Sequence, residues 1–233
     1  MTHAPRPLPQ NTAKDVIYAG IKGMLGEIPG GSTAGELLAL VVTPPLAQRM
    51  DNFLEGLAQD IAELQDQVES LQSDKLTANQ LFITATVQAA QIALRSHQPE
   101  KIDILRNAVL NTAILTDPKD DMVQTFLSYV DTLTVSHIVV LEYYYDPKLW
   151  GTEHNINWPD WSMGGVLTPL KHAMPELGEE FAKQIIKDLQ ARGLLADFNP
   201  GVTITDSGMF AGRTTDMGKD FLEFIKKPER LSR

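Results

Sequence analysis

The 233-residue chain contains no cysteine, and this absence excludes disulfide bonds, thiolate metal sites and a cysteine nucleophile. It also lacks an excess of positive charge, because 20 lysine and arginine residues stand against 30 aspartate and glutamate residues, for a formal net charge of -10. Such a chain has no bulk field that attracts phosphates, which argues against a general binder of nucleic acid. Its first ten residues hold three prolines and no apolar run, so we expect no secretory signal there.

Chemical motifs are equally scarce. The five histidines form no pair with a metal-binding spacing, and no Gly-x-Ser-x-Gly sequence is present. The glycine-rich stretch 26–32 resembles a phosphate loop but lacks its lysine and has no strand before it. We therefore expect a protein that is not an enzyme, with no catalytic residue, no metal, no cofactor and no small-molecule substrate. An active site assembled from residues distant in sequence stays open.

An uninterrupted apolar run of membrane-spanning length is missing as well. The longest uncharged stretch, residues 76–94, carries four side-chain amides, from Asn79, Gln80, Gln88 and Gln91. In hydrocarbon each unpaired amide would cost on the order of several kcal/mol. We expect a buried helix of a bundle here and no transmembrane helix.

What the sequence does contain is helical periodicity. We predict a mainly α fold: a helical bundle with one long amphipathic helix, followed by a C-terminal winged-helix-like module with a small β-hairpin. The predicted organisation is a Pro-rich start and glycine-rich helical hairpin over residues 1–43 and a bundle over 44–147. A tryptophan-bearing linker over 148–165 and the winged-helix-like domain over 166–233 follow.

The long helix is predicted over residues 46–72. Its apolar residues recur every three or four positions and form a seam along one face. We expect this seam to pair between chains as well as within one, giving a homodimer or larger closed oligomer. Its members are Met50, Phe53, Leu57, Ile61, Leu64, Val68 and Leu71.

The linker and the helix before it carry the remaining candidates for chemistry. His137 lies in an apolar helix, so we expect a core histidine with its hydrogen bonds satisfied. Glu153, His154 and Asp160 share the linker and could meet in space, although no metal motif connects them. We expect the three linker tryptophans to pin this segment to the bundle rather than to stack on a ligand.

The C-terminal section has the order of secondary-structure elements that is typical of a winged helix. A strong helix is predicted from Pro175 to Arg192 and ends at Gly193. Residues 194–198 can form a strand, residues 199–213 a glycine-containing loop, and a strand-like return then leads into a last helix. This order of elements predicts the module.

Two uses of that module remain open. In winged helices that read DNA, the helix before the strand enters the major groove. Here its first half carries three carboxylates, from Glu176, Glu179 and Glu180, so we favour contacts with another protein. The alternative is a DNA-binding transcriptional regulator, whose contacts to nucleic acid would come from Lys183, Lys187, Arg192 and Arg213.

The glycine-rich hairpin, residues 14–42, also has two interpretations. Its glycines can let neighbouring helices approach closely and allow a sharp turn. Alternatively, the hairpin docks loosely and moves to a membrane or another subunit, which would make the protein a membrane-acting effector. The glycines concerned are Gly20, Gly23, Gly26, Gly30, Gly31 and Gly35.

Three stretches resemble a known family. Residues 105–111 read LRNAVLN, residues 126–134 read FLSYVDTLT and residues 137–141 read HIVVL, and the chain closes with a threonine–glycine–aromatic helix over residues 215–222. In the order of these elements, residues 102–225 resemble the Abi-alpha, or abortive-infection alpha, family. The resemblance implies a bacterial cytoplasmic protein that is an accessory or effector component of phage defence. It brings no catalytic residues.

Overall fold

The computed structural model describes residues 12–26, 44–115 and 119–228, and within these ranges the protein is mainly helical, as predicted. Two short strands, β1 (Met163–Gly165) and β2 (Thr203–Thr205), form the sheet of this part of the chain. Its twelve helices are α1 (Ala13–Gly26), α2 (Pro44–Leu64), α3 (Ser73–Ala78), α4 (Gln80–Arg95), α5 (Pro99–Ile114), α6 (Asp120–Thr132), α7 (Val135–Tyr145), α8 (Pro147–Glu153), α9 (Thr168–Ala173), α10 (Glu179–Ala191), α11 (Asp206–Met209) and α12 (Asp216–Ile225).

The chain divides into two compact units. The first contains the described residues up to Ser128 together with residues 227–228, and the second runs from Tyr129 to Lys226. The division falls inside α6, so α7 and α8 belong to the same unit as the segment that we predict to be winged-helix-like.

The first unit is built around α2. This helix begins at Pro44-Pro45, where proline is tolerated because the first helical amides have no intrahelical acceptor. Along one face Phe53, Leu57 and Ile61 are fully buried. Burial of each such side chain contributes about 1.5–3 kcal/mol, so this stripe fixes α2 against α1, α4 and α5.

The predicted long helix is shorter than expected. It ends at Leu64 rather than at residue 72, and a turn leads to Val68 in an extended conformation (φ -124°, ψ 105°). A 3₁₀ helix, Glu69–Leu71, follows and lies against α5. This reversal keeps Leu71 in the core, where its side chain is fully buried. The apolar spacing continues across the break, which is why periodicity alone predicted one continuous helix.

In the second unit α7 is central and packs against α8, α10 and α12. The C-terminal carbonyls of a helix lack intrahelical donors. For α7 the Tyr144 carbonyl is supplied from the chain before α12, since it accepts from the amides of Arg213 (2.7 Å) and Thr214 (3.2 Å). The Thr214 hydroxyl adds a bond to the Leu141 carbonyl (3.1 Å). These bonds hold residues 213–214 against the end of α7.

The predicted linker contains two regular elements. Asp146 caps α8, with its side chain accepting from the amides of Lys148 (3.1 Å) and Leu149 (3.0 Å), and Pro147 occupies the first turn. The Asp146-Pro147 pair thus starts a helix that runs into the predicted linker. The second element is β1.

The prediction of a small β-hairpin is wrong about which strands pair. The sheet is antiparallel and pairs β1 with β2, in the register Met163–Thr205 and Gly165–Thr203, so its strands are far apart in sequence. The predicted strand at 194–198 makes only an isolated bridge, between Leu195 and Thr214. Leu194 is buried, which explains why its apolar run resembled a strand.

The closing threonine–glycine–aromatic helix has a clear physical basis. Thr215 caps α12, accepting from the Gly218 amide (3.0 Å) and donating to the Gly193 carbonyl (2.6 Å). A Cβ at position 218 would collide with the Leu194 carbonyl oxygen. Phe221 is fully buried, with its ring edge-on to Tyr129 at 5.9 Å. Each residue of this pattern therefore serves the close packing of α12.

Candidate functional site

The outer surface of α10 is where the sequence predicts partner contacts. Its inner face buries Ala182, Ile185, Ile186 and Leu189, which orients the charged residues outward. Glu179 accepts from the ammonium groups of Lys171 (2.6 Å) and Lys183 (2.9 Å), and Lys183 also bonds Glu180 (2.9 Å). These lysines hold the pKa of Glu179 at about 2 through their hydrogen bonds and charges. The first turn of α10 is therefore an ion-pair network rather than a free cationic surface.

The four predicted nucleic-acid contacts occupy different environments. Lys183 belongs to the network just described, and Lys187 is exposed on the outer face of α10. Arg192 donates from Nη1 to the Asp188 carbonyl (3.1 Å) and is half-buried. Arg213 donates from Nη2 to the Gly208 carbonyl (2.8 Å), and its Cζ lies 4.6 Å from the centre of the Phe198 ring. Two of the four thus bond to the protein's own backbone, and DNA binding through them stays a prediction.

A pocket lies between α9 and α10. Its apolar lining comes from Leu170, Met174, Pro175 and Ala182, and the Lys171–Glu179 pair also lines it. Phe181 directly precedes Ala182 in the first turn of α10 and is 47% exposed. A pocket with an apolar lining and an exposed aromatic side chain on the same helix are both features of protein-binding surfaces. We call Phe181, the Lys171–Glu179 pair and this pocket the α10 face.

An aromatic cluster, which we did not predict, lies elsewhere in the same unit. The Tyr143 ring meets the rings of Tyr144 (5.0 Å) and Trp150 (5.7 Å) edge-on. The Tyr144 ring lies 5.3 Å from that of Phe198, over which Arg213 is placed. Both tyrosines are fully buried, and burial raises the pKa of each phenol well above its usual value. The apolar pattern of α7 predicts the burial but not these contacts.

The linker tryptophans are partly accounted for by packing. The Trp150 ring stacks on the His154 ring at 3.7 Å, and Trp158 lies so close to Gly151 that a Cβ there would collide with its indole. The centre of the Trp161 ring lies 5.4 Å from that of the His172 ring.

The two histidine candidates are held by contacts within the protein. His137 is buried, as predicted; its Nδ1 pairs with the Thr134 hydroxyl (2.7 Å) and its Nε2 with Asp188 (3.3 Å). The Nδ1 of His154 faces the Trp150 carbonyl (2.8 Å). Across the described ranges, no group of three histidine or acidic side chains is placed to hold a metal ion.

The predicted oligomer seam faces the interior of the single chain. Met50 and Val68 are half-buried, and the other five side chains are buried: Phe53, Leu57, Ile61, Leu64 and Leu71. The seam therefore serves the fold of one chain, and its pairing between chains stays a prediction.

Only the first helix of the glycine-rich hairpin falls within the described residues. On α1, Ile17 and Ile21 are buried, and Tyr18 and Lys22 both bond the Asp51 carboxylate of α2, at 2.9 and 3.1 Å. Residues 27–42 lie outside the described ranges, so the movable hairpin stays a prediction. No helix in the described part of the chain is both long and apolar enough to cross a membrane.

Comparison of the chain with family models, with curated proteins and with solved structures gave no match.

Proposed function

We propose that the protein is not an enzyme and acts through protein–protein contacts made by the α10 face. The observation that carries this proposal is the ion-pair network at the start of α10. In the winged-helix-like order of elements, α10 holds the position of the helix that reads DNA. A phosphate approaching it would meet Glu179 and Glu180, whose carboxylates already occupy Lys171 and Lys183. DNA binding would have to break these pairs, whereas a protein partner can leave them intact.

The apolar part of the α10 face supports the same proposal. Exposed aromatic side chains next to pockets supply a large share of binding energy at protein interfaces. Phe181 is an exposed aromatic side chain on the helix that lines the pocket, and nearly half of its surface is open to a partner. The role in bacterial phage defence, as an accessory or effector component, rests on the resemblance of residues 102–225 to the Abi-alpha family.

Partner capture from the native host tests the proposal. The full chain is used as bait beside Phe181→Asp and Met163→Asp, a matched pair because both residues are exposed apolar residues of the same unit (47% and 63%). We expect a host protein that wild type and Met163→Asp retain and Phe181→Asp loses. Equal recovery on all three baits would contradict a role for the α10 face.

A footprinting experiment tests the DNA-binding alternative. We expect no specific footprint at physiological salt. Protection of a discrete sequence that is lost in Lys187→Ala, the exposed lysine of α10, would replace our proposal with a transcriptional regulator, and that binding should weaken steeply with salt.

A further inference from the structure

Four buried polar atoms in the aromatic cluster have no hydrogen-bond partner. They are the hydroxyls of Tyr143 and Tyr144, the indole Nε1 of Trp150 and the guanidinium Nε of Arg213. Buried polar groups are nearly always hydrogen-bonded, because an unpaired group that has lost its contact with water destabilises the folded state. Four in one cluster therefore require an explanation beyond packing.

The four side chains are connected in series by contacts between rings. Tyr143 touches both Tyr144 and Trp150, and Tyr144 is linked to Arg213 through the Phe198 ring. The charge of Arg213 also acts on both phenols, where it opposes the rise in pKa that burial causes. The two hydroxyls and the guanidinium thus share one electrostatic environment.

All four groups are donors. An indole N–H and a guanidinium N–H can only donate, and a phenol can donate while it accepts. Arg213 adds a positive charge, and among the residues that the structure describes no carboxylate forms an ion pair with it. What the cluster lacks is an acceptor with negative charge.

We propose that the aromatic cluster binds one small anion, of the size of a halide or formate ion, held by Tyr143, Tyr144, Trp150 and Arg213. The complete burial of both tyrosine side chains limits the ligand to a few atoms. A bound anion would neutralise the guanidinium and accept from the unpaired donors. It would thereby stabilise the contact between α7 and residues 213–214.

Thermal unfolding in different sodium salts tests this site. The full chain is unfolded while sodium gluconate is replaced by sodium chloride or sodium formate at constant ionic strength, gluconate being too large to enter. Because a ligand that binds only the folded state stabilises it by mass action, we expect a saturable rise in Tm with chloride or formate. An unchanged Tm across the three salts would overturn the proposal even if every variant failed to fold.

Two variants separate the site from general salt effects. In the double variant Tyr143→Phe/Tyr144→Phe the rings remain and the donors are lost. We expect its half-saturating chloride concentration to rise at least about tenfold, the effect of losing one charge-assisted hydrogen bond. The matched control is Tyr145→Phe, which changes the neighbouring, 53% exposed tyrosine and should respond like wild type. An equal chloride response in the double variant and the control would show that the anion binds elsewhere, and would refute the assignment.

Discussion

Among the described residues both units have largely aliphatic cores, but they differ in their buried aromatic side chains: those of the first unit are phenylalanines, whereas the second unit also buries Tyr143, Tyr144 and Trp150. On α4, for example, Ala85, Ala89 and Ala93 are fully buried at a spacing of four. Of the five buried side-chain polar atoms that lack a partner in the described residues, four lie in the second unit. Unpaired polar groups reduce stability, and proteins tend to retain them at functional sites. The difference is in keeping with our proposal, which assigns the function to the second unit.

The largest expected effect is on the apolar core of the first unit. We predict that Phe53→Ala lowers the free energy of unfolding by about 3–5 kcal/mol, because the side chain is fully buried and leaves a cavity. Urea denaturation measures the change. The control is Glu55→Ala on the exposed face of the same helix, expected within about 0.5 kcal/mol of wild type. Similar losses in both variants would mean that α2 does not form the core.

A second prediction compares a glycine-to-alanine substitution in each of the two units. Gly218→Ala should destabilise the protein by about 1–3 kcal/mol, because its Cβ collides with a backbone carbonyl that cannot move independently. Gly20→Ala should stabilise it by about 0.5–1 kcal/mol, since this helical glycine has open space around its Cβ position. Urea denaturation of both variants is decisive, and effects of the same sign would contradict the packing described for α12.

Loss of the cap of α12 should have a smaller effect. We predict that Thr215→Ala lowers the free energy of unfolding by about 1 kcal/mol, because the Gly218 amide loses its acceptor. Thr215→Ser keeps the hydroxyl and should recover most of the loss in the same denaturation experiment. If serine were as destabilising as alanine, the hydrogen bond would not be the cause.

The smallest effect is electrostatic and depends on pH. The pKa of Glu179 is about 2 in the folded protein against an ordinary value of 4.5, so its ion pairs contribute fully above about pH 4.5 and lose their contribution as the pH falls towards 2. We predict that the Tm difference between wild type and Glu179→Gln disappears over this interval. Glu176→Gln, at an exposed neighbouring carboxylate, is the control and should show no such trend.

Much of the helical architecture follows from the sequence. The periodic apolar positions of α2 and α10 and the almost wholly apolar run of α7 predict helices that the structure contains, and Thr215 lies directly before the start of α12. These signals act over a few residues, within one helix or at its cap, so a single sequence carries them completely.

What the sequence does not reveal depends on contacts between distant residues. Met163-Gly164-Gly165 has little intrinsic preference for a strand and becomes β1 only by pairing with residues 203–205. The aromatic cluster likewise joins α7 to Phe198 and Arg213, and no local pattern links these positions. A charge count makes Arg213 a candidate contact to phosphate but does not show that its guanidinium lies over the Phe198 ring.

The dissociation constant of a captured partner tests the central claim most directly. It should be measured with purified full-length chains of wild type, Phe181→Asp and Met163→Asp. If the α10 face binds the partner, Phe181→Asp weakens binding at least about thirtyfold, the effect of losing an interface hot spot of 2 kcal/mol, while Met163→Asp binds like wild type. Equal dissociation constants for all three chains would contradict the account.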